Sequence, residues 1–347
     1  MIDDKINYSN NNNNNNLHKI IIIGSGPAGL TAAIYAARGG MEPLVISGYQ
    51  PGGQLILTTD VENFPGFDLP VLGADLMSKM RKQAERVGTK FLDKSATAVD
   101  FSSKPFKVDI IGNTDSHIID NNDISCNSNN IKSKEDKNKI LLSESIIIAT
   151  GASAMWLGLE SEDRLKGRGV SACATCDGFF FKNKDVVVVG GGDTALEEAL
   201  FLAKLAKSVI IIHRRIEFRA SKILQQRTFD NPKISFIRNT IVEDILGQNK
   251  VEGIKLKNTK TGEMVQIKCD GVFIAIGHKP NTDIFKGHVE IDDKGYIKKY
   301  EETKTSIEGV FVAGDACDYT YRQAITAAGS GCKASLDAIR YLELNFE

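Results

Sequence analysis

The sequence predicts an α/β protein in which one structural pattern occurs twice. Each copy begins with a run of β-branched residues, which is typical of a strand buried on both faces of a parallel sheet. A glycine-rich turn follows each run, and a stretch with helical spacing follows each turn. This alternation predicts two domains of the same kind, each a parallel sheet with helices plus a small β-meander.

The first copy of the pattern contains a match to G-x-G-x-x-G. Residues 19–23 form the predicted strand, residues 24–29 the turn and residues 30–38 the helix. In this order they predict a dinucleotide site, where Gly24 permits the tight turn and Gly26 lets the backbone approach a pyrophosphate. The phosphates would bind the free N–H groups at the helix N-terminus. The alternative is a tight turn that holds no ligand.

The next strand of the first copy, residues 43–47, lacks the acid that usually binds a ribose at this point. Ser47 and Gly48 stand there instead. The first copy therefore predicts a dinucleotide without saying which one. Two turn-rich stretches follow, 52–55 and 62–66, and their amides could either face a ligand ring or shape loops.

The second copy repeats the pattern after residue 185. Residues 186–189 form the strand, residues 190–195 fit G-x-G-x-x-A, and residues 196–206 form the helix. Strands ending in Ala-Thr-Gly at 149–151 and Ala-Ile-Gly at 275–277 add to the repeat. The predicted architecture is therefore two Rossmann-like dinucleotide-binding domains, one for each of two cofactors.

Basic residues follow the second strand of the second copy. His213, Arg214 and Arg215 end that strand, and Arg219 lies shortly after them. An arginine can bind a 2′-phosphate through two parallel charge-assisted hydrogen bonds, so this copy predicts NADPH. The alternative is a solvated basic turn. His213 by itself fits a structural role better than a catalytic one.

A pair of cysteines, Cys173 and Cys176, precedes the second glycine turn, and Asp177 follows directly. Two thiols separated by two residues can close a disulfide that exchanges readily. Beside a dinucleotide turn, such a dithiol suggests electron transfer from a nicotinamide to a disulfide. The alternatives are half of a zinc site and a buried structural pair. We expect no metal, because the remaining cysteines are isolated and no two histidines fall at ligand spacing.

The last predicted strand, residues 308–315, delivers Asp315 at its C-terminal end. Ligands of open α/β sheets bind beyond such ends, so Asp315 could accept hydrogen bonds from the hydroxyls of a ligand. A final helix begins at Arg322, Gln323 and Ala324, and its positive end could face a ring that carries negative charge.

Composition narrows the class of protein. A formal net charge of -1 provides no basic field for nucleic acid. No apolar run is long enough to span a bilayer and no targeting leader is evident, so we expect a cytoplasmic protein without membrane contact. Residues 1–17 predict a disordered Asn-rich tail and residues 112–138 a disordered insertion, in which Cys126 is incidental.

Together these motifs resemble the low-molecular-weight thioredoxin reductases, homodimeric enzymes that use FAD and NADPH. The resemblance runs from about Lys19 to Leu344 and fails only in the tail and the insertion. The acid missing at Ser47 is normal for that family. The motifs that carry the resemblance are 24–28, 52–55, 62–66, 173–177, 213–215, 314–315 and 322–324.

The resemblance implies roles for particular residues. Cys176 would face the flavin, Cys173 would attack the thioredoxin disulfide, and Asp177 would take up and return the thiol protons. FAD would contact Ser25, Gly26, Pro27, Ala28, Gln54, Asn63, Ala96, Cys176, Asp315, Arg322, Gln323 and Ala324. NADPH would contact Gly190, Gly192, Asp193, Thr194, His213, Arg214, Arg215 and Arg219.

The order of the motifs implies a split FAD domain. Residues 18–151 and 279–347 would form it, and residues 152–278 would form an inserted NADPH domain that carries the dithiol. Two other functions remain open from the sequence. One is reduction of a peroxiredoxin or glutaredoxin-like partner by the same architecture, and the other is a non-catalytic flavin-binding redox sensor.

Overall fold

A computed structural model describes residues 16–48, 50–58, 60–111 and 139–346. The predicted insertion at 112–138, with Cys126, lies outside this described part, as do residues 1–15 of the predicted tail. The sequence predicts that the tail includes Leu17, but Leu17 is the first residue of a strand, where it pairs with Leu142. Its pairing with a long neighbouring strand explains why the strand begins before the apolar run at Lys19.

The described residues form nineteen strands and seven α-helices, with short 3₁₀ turns between some of them. The strands are β1 (Leu17–Ile23), β2 (Leu44–Ile46), β3 (Asp60–Val61), β4 (Val71–Leu72), β5 (Lys90–Leu92), β6 (Ser95–Asp100), β7 (Phe106–Ile111), β8 (Lys139–Ile148), β9 (Ala152–Ala154), β10 (Val170–Ser171), β11 (Asp185–Val189), β12 (Ser208–His213), β13 (Ile234–Arg238), β14 (Thr240–Leu246), β15 (Gly253–Asn258), β16 (Met264–Lys268), β17 (Gly271–Ile274), β18 (His278–Pro280) and β19 (Val310–Val312). The helices are α1 (Pro27–Arg38), α2 (Gly73–Arg86), α3 (Glu160–Leu165), α4 (Ala174–Asp177), α5 (Asp193–Leu202), α6 (Lys222–Phe229) and α7 (Ala324–Phe346).

The chain divides into two compact units. The first comprises the described residues of the spans Met1–Ile56, Ala74–Gly151 and Pro280–Glu347, and the second those of Leu57–Gly73 and Ala152–Lys279. The sequence predicts that the segment Leu57–Gly73 belongs to the first domain, whereas the segment groups with the second unit. Its strands β3 and β4 pair with each other and, among the described strands, add nothing to the sheet of the first unit.

The first unit is built on a seven-stranded sheet. Its strands follow the order β5-β2-β1-β8-β7-β6, and β19 also pairs with β8. The strands β5, β2, β1, β8 and β19 are parallel, while β6, β7 and β8 form an antiparallel meander. Ile20 and Ile22 face one hydrophobic cluster, and Ile21 and Ile23 face another. Since both faces of β1 are covered, its sequence is a continuous apolar run.

The second unit repeats this plan with a five-stranded parallel sheet in the order β10-β17-β11-β12-β13. The strands β14, β15 and β16 form an antiparallel meander. Val186 and Val188 face one hydrophobic cluster, and Val187 and Val189 face another. The predicted α/β class, with two Rossmann-like domains that each carry a small meander, is confirmed.

The two glycine turns pack in the same way. Gly24 has φ +114°, and a Cβ there would overlap the carbonyl oxygen of Ala149 at the end of β8. A Cβ at Gly190 would overlap the carbonyl oxygen of Ala275, which follows β17. The repeated Ala-x-Gly strand endings therefore supply the surface on which each turn closes.

Across the described residues, no helix combines the length and the apolar character required to cross a bilayer.

The contact between α1 and α7 gives a stability test. A Cβ at Gly331 would overlap the backbone carbonyl of Ala28, whereas a Cβ at Gly329 on the same helix would meet nothing within 4 Å. We expect Gly331→Ala to destabilise the protein by about 1–3 kcal/mol, because the helices must separate. Gly329→Ala should be neutral or stabilise by up to about 1 kcal/mol. Urea unfolding measures both, and equal effects would contradict the packing described.

Candidate redox and nucleotide-binding sites

Cys173 and Cys176 form a disulfide in the second unit, with their Cα atoms 5.3 Å apart. Cys173 precedes the short helix α4, and its carbonyl oxygen accepts the N–H groups of Cys176 at 3.3 Å and Asp177 at 3.1 Å. Residues three apart in a helical turn lie on one side of it, so the two sulfurs meet without rearrangement. Cys173 is half-buried and Cys176 is exposed, so the pair is open to exchange.

Asp177 is the ionisable group next to this disulfide. Burial raises the pKa of its carboxyl above the ordinary value, and a hydrogen bond from the Ser171 hydroxyl lowers it in part. Ser171 also accepts the N–H of Cys173 through Oγ at 3.0 Å. The same serine therefore contacts the backbone of a redox cysteine and lowers the pKa of the neighbouring acid. A carboxyl with a raised pKa exchanges protons with thiols more readily than an ordinary aspartate.

The segment after the disulfide is anchored to the scaffold of the second unit. A Cβ at Gly178 would lie 3.2 Å from side-chain atoms of Leu202 and Phe201, both in α5. Phe181 is buried, with its ring centroid 5.2 Å from that of Phe273 in β17. The disulfide therefore rests on the same helix that follows the second glycine turn.

The first unit presents an open helix N-terminus at its glycine turn. Gly26 is the N-cap of α1, no side chain caps it, and a Cβ there would meet nothing within 4 Å. The first-turn N–H groups have no intrahelical acceptors, which suits an anion. Ser25 shapes this turn, since its hydroxyl donates to the Ser47 carbonyl at 2.9 Å and accepts the Gly52 N–H at 3.0 Å. Pro27 and Ala28 begin the helix.

Asp315 follows β19 in a short 3₁₀ turn near the start of α1. Gly314 holds this turn, because a Cβ on it would come 2.9 Å from the Ala28 side chain. Burial, together with the charge of Asp318, raises the pKa of Asp315 to about 7, while the charge of Arg322 lowers it. None of the described residues donates a hydrogen bond to this carboxylate. Ligand hydroxyls would supply such donors, so the residue fits a polyhydroxyl chain.

The start of α7 lies a few residues further along the chain. Arg322 adopts φ +49°, and Gln323 Nε2 donates to the Arg322 carbonyl at 3.1 Å. The 23-residue helix then begins at Ala324. The helix therefore begins two residues later than the sequence predicted, and Arg322 and Gln323 directly precede its positive end.

The other predicted flavin contacts lie in different places. Gln54 is exposed in a 3₁₀ turn and Ala96 is half-buried in β6, both in the first unit. Asn63 belongs to the loop between β3 and β4, which groups with the second unit. The shared role of these residues stays a prediction.

The second glycine turn also leaves a helix N-terminus open. Gly192 is the N-cap of α5, and a Cβ there would meet nothing within 4 Å. Asp193 and Thr194 form the first turn, and the Asp193 carboxylate accepts the N–H of Ser221 at 2.7 Å. Because the two turns share this geometry, the second also offers unpaired N–H groups to an anion.

A basic cavity of about 490 Å³ lies beyond the end of β12. Arg214, Arg215 and Arg219 all line it. Their predicted contact with the phosphate of NADPH stays a prediction. His213 does not line it. The ring of His213 is buried, stacks on Phe218 at 5.1 Å and lies 3.0 Å from the Glu217 carbonyl through Nε2. Burial lowers the pKa of His213, which favours the neutral ring. This ring packs against the loop of residues 214–219 through Phe218 and Glu217.

Sequence reasoning missed part of this cavity. Asn239 follows β13, and Thr259 and Lys260 form the turn between β15 and β16, yet all three line the same space. No local motif marks them, because they approach the arginines only through the fold. Lys260, in a Thr-Lys-Thr-Gly turn, was the one basic signal that could have been noticed.

Known proteins share this architecture. The family model described as pyridine nucleotide-disulphide oxidoreductase matches residues 18–331. A thioredoxin reductase of Rickettsia conorii is 52% identical over 328 residues, covering 93% of this chain and 98% of that relative. One of Streptomyces clavuligerus is 50% identical, covering 94% of each.

Solved structures agree with the sequence relatives. A thioredoxin reductase from Giardia duodenalis has a TM-score of 0.83 at 40% identity, covering 94% of this chain and 99% of that one. A thioredoxin reductase from Streptococcus pyogenes has a TM-score of 0.83 at 36% identity, covering 95% and 99%.

The link between Ser171 and Asp177 can be tested by titration. Because the Ser171 hydrogen bond lowers the pKa of Asp177, Ser171→Ala should raise it further. Carbon-13 NMR of aspartate-labelled protein would follow the carboxyl, with Asp177→Asn identifying its resonance. Ser221→Ala, an exposed serine on the same unit, should leave the titration unchanged. A lower pKa in Ser171→Ala would show that the hydrogen bond does not act on the carboxylate.

Asp315 predicts a pH dependence of stability in nucleotide-free protein. Its folded pKa of about 7 lies above the ordinary 3.8, so the folded chain holds this proton more tightly than the unfolded chain. The resulting stabilisation is present below about pH 4 and is lost as the pH rises through about 7. The free energy of unfolding, measured with urea across this pH range, should therefore fall as the pH rises, and Asp315→Asn should remove this part of the pH dependence. Asp293→Asn, at an exposed position of the same unit, should retain it.

Proposed function

The chain belongs to the pyridine nucleotide-disulphide oxidoreductase family and, within it, to the thioredoxin reductases, and we propose that it reduces the thioredoxin disulfide with electrons from NADPH. The observation that carries this proposal is the Cys173–Cys176 disulfide, which lies on the same unit as the arginine-lined cavity.

We assign FAD to the first unit. The open N-terminus of α1 at Gly26 suits its pyrophosphate, and the raised proton affinity of Asp315 suits its ribityl hydroxyls. The start of α7 at Arg322, Gln323 and Ala324 directs positive potential outward, which would favour an anionic ring. FAD, when bound, would supply two-electron transfer between a nicotinamide and a disulfide.

We assign NADPH to the second unit. The open N-terminus of α5 at Gly192 suits the pyrophosphate of this nucleotide. Arg214, Arg215 and Arg219 surround the cavity where a 2′-phosphate would bind, and a guanidinium matches a phosphate bidentately. An unphosphorylated ribose offers these cations no charge, so this arrangement favours NADPH over NADH.

The cysteines then carry the electrons to the protein substrate. Two electrons and two protons convert Cys173–Cys176 to a dithiol. The Cys173 thiolate attacks the thioredoxin disulfide, which forms a mixed disulfide and releases one thioredoxin thiolate. The Cys176 thiolate attacks the Cys173 sulfur, which restores the internal disulfide and releases reduced thioredoxin. Asp177 would take the proton from the attacking thiol and return it to the leaving sulfur.

The surroundings of the disulfide support a protein substrate. Phe179 is 63% exposed and Phe180 is 38% exposed, and both follow Cys176 within four residues. Exposed aromatic side chains are typical of protein interfaces rather than of solvated turns. The predicted homodimer and cytoplasmic location remain proposals, and the homodimer rests on the resemblance alone.

The roles of the cysteines can be separated by substitution. Cys173→Ser should leave NADPH-dependent bleaching of the flavin within about twofold of normal. Thioredoxin turnover should fall by more than about 100-fold, because no mixed disulfide can form. Stopped-flow absorbance measures the first step, and steady-state NADPH oxidation with thioredoxin measures the second.

The matched control is Cys332→Ser, which removes a half-buried thiol of α7 in the first unit. This variant should retain both steps. Sustained thioredoxin turnover by Cys173→Ser would refute the assigned attack. A single turnover by the unsubstituted protein would instead indicate a redox sensor, and turnover restricted to a peroxiredoxin or glutaredoxin-like protein would indicate a different partner.

A further inference from the structure

The basic cavity of the second unit contains a cation that the arginine motif does not include. Lys260 lies in the turn between β15 and β16, more than forty residues beyond Arg219, and lines the same cavity. Glu217 is the only acidic residue in the lining, against Arg214, Arg215, Arg219 and Lys260. The cavity is therefore strongly positive although the chain as a whole carries a formal net charge of -1.

Hydrogen bonds hold the hairpin at this cavity. The N–H of Thr259 donates to the Asn239 carbonyl at 2.7 Å, and its hydroxyl donates to the same oxygen at 2.9 Å. The N–H of Asn239 donates to the Arg215 carbonyl at 3.3 Å. The three segments that line the cavity are thus joined in series through their backbones.

The turn that carries Lys260 is itself well defined. Asn258 Oδ1 accepts the N–H groups of Lys260 at 2.8 Å and Thr261 at 3.0 Å. Gly262 closes the turn with φ +73° and donates its N–H to the Asn258 carbonyl at 2.9 Å. The hairpin therefore sets the backbone position of Lys260 beside the arginines. On binding an anion, only the side-chain rotamers of Lys260 have to become ordered.

The four cations have no acidic partners in the part of the chain that the structure describes. No carboxylate there lies within ion-pairing distance of Lys260, Arg214, Arg215 or Arg219. Like charges around one cavity repel each other, and a bound anion relieves that repulsion. A phosphomonoester carries nearly two negative charges near neutral pH and suits such a cluster.

We propose that Lys260 is a specificity-determining residue for the 2′-phosphate of the nicotinamide nucleotide. Its ammonium group adds a fourth cation to the three arginines. This cation interacts with the phosphate dianion, and it has no charged partner when the ribose carries no 2′-phosphate. This inference rests on the proposed use of NADPH. It extends the nucleotide site to the meander of the second unit, which the glycine turn and the arginine motif do not reach.

The test measures equilibrium binding to the flavin-loaded protein by titration calorimetry, with two probes. Adenosine 2′,5′-bisphosphate carries the 2′-phosphate, and adenosine 5′-monophosphate lacks it. Lys260→Ala should weaken binding of the bisphosphate by about 3- to 10-fold, the size expected for one partly exposed charge-assisted contact. Binding of the monophosphate should not change. The difference between variant and unsubstituted protein should shrink as salt is added.

Two controls keep the inference falsifiable. Lys250→Ala removes an exposed lysine from the turn between β14 and β15, outside the cavity lining, and should leave both affinities unchanged. Lys260→Arg should retain most of the bisphosphate affinity. Equal weakening of both probes by Lys260→Ala, or the same effect in Lys250→Ala, would overturn the inference.

The same measurements separate this inference from the function on which it rests. If the unsubstituted protein does not prefer the bisphosphate, the NADPH assignment itself is wrong, and the role of Lys260 is lost with it. If the unsubstituted protein prefers the bisphosphate and Lys260→Ala prefers it equally, only the role of Lys260 is wrong.

Discussion

Both proposed nucleotide sites depend on one packing constraint, the close approach of a glycine turn to the carbonyl oxygen of the residue that follows a neighbouring strand. Gly24 lies against Ala149 in the first unit, and Gly190 lies against Ala275 in the second. A side chain at either glycine would overlap that oxygen, so the turn closes only without one. The same turn leaves the next helix uncapped and open, so the contact that completes the core also creates a place for an anion.

Side chains outside the turns distinguish these two similar sites. In the first unit, the distinguishing group is Asp315, a carboxyl whose burial raises its pKa to about 7 and which accepts no hydrogen bond from the described residues. In the second unit, it is a set of cations that three separate segments bring to one cavity. One backbone plan thus supports a site suited to hydroxyl groups and another suited to an additional phosphate, which is the division of labour that the proposed reaction requires.

The disulfide uses the second unit in a different way. Its two cysteines are three residues apart in one helical turn. Gly178, which follows this turn, lies against α5, and Phe181 packs on Phe273 of β17. Exposure of Cys176 keeps the pair open to another disulfide, while burial of Asp177 raises the proton affinity of the neighbouring acid. The disulfide and a carboxyl with a raised pKa are therefore combined within five consecutive residues, as the proposed thiol exchange requires.

The sequence by itself determined every feature that rests on neighbouring residues, namely the two strand-turn-helix patterns, the cysteine pair with its acid, and the arginines after β12. Local geometry and residue chemistry are sufficient for these, because a few consecutive residues define each of them. Tertiary structure alone decided that Leu17 joins β1, that His213 lies beneath the cavity, and that Lys260 stands beside the arginines. These features depend on contacts between segments far apart in the chain, and no spacing within one segment encodes such contacts.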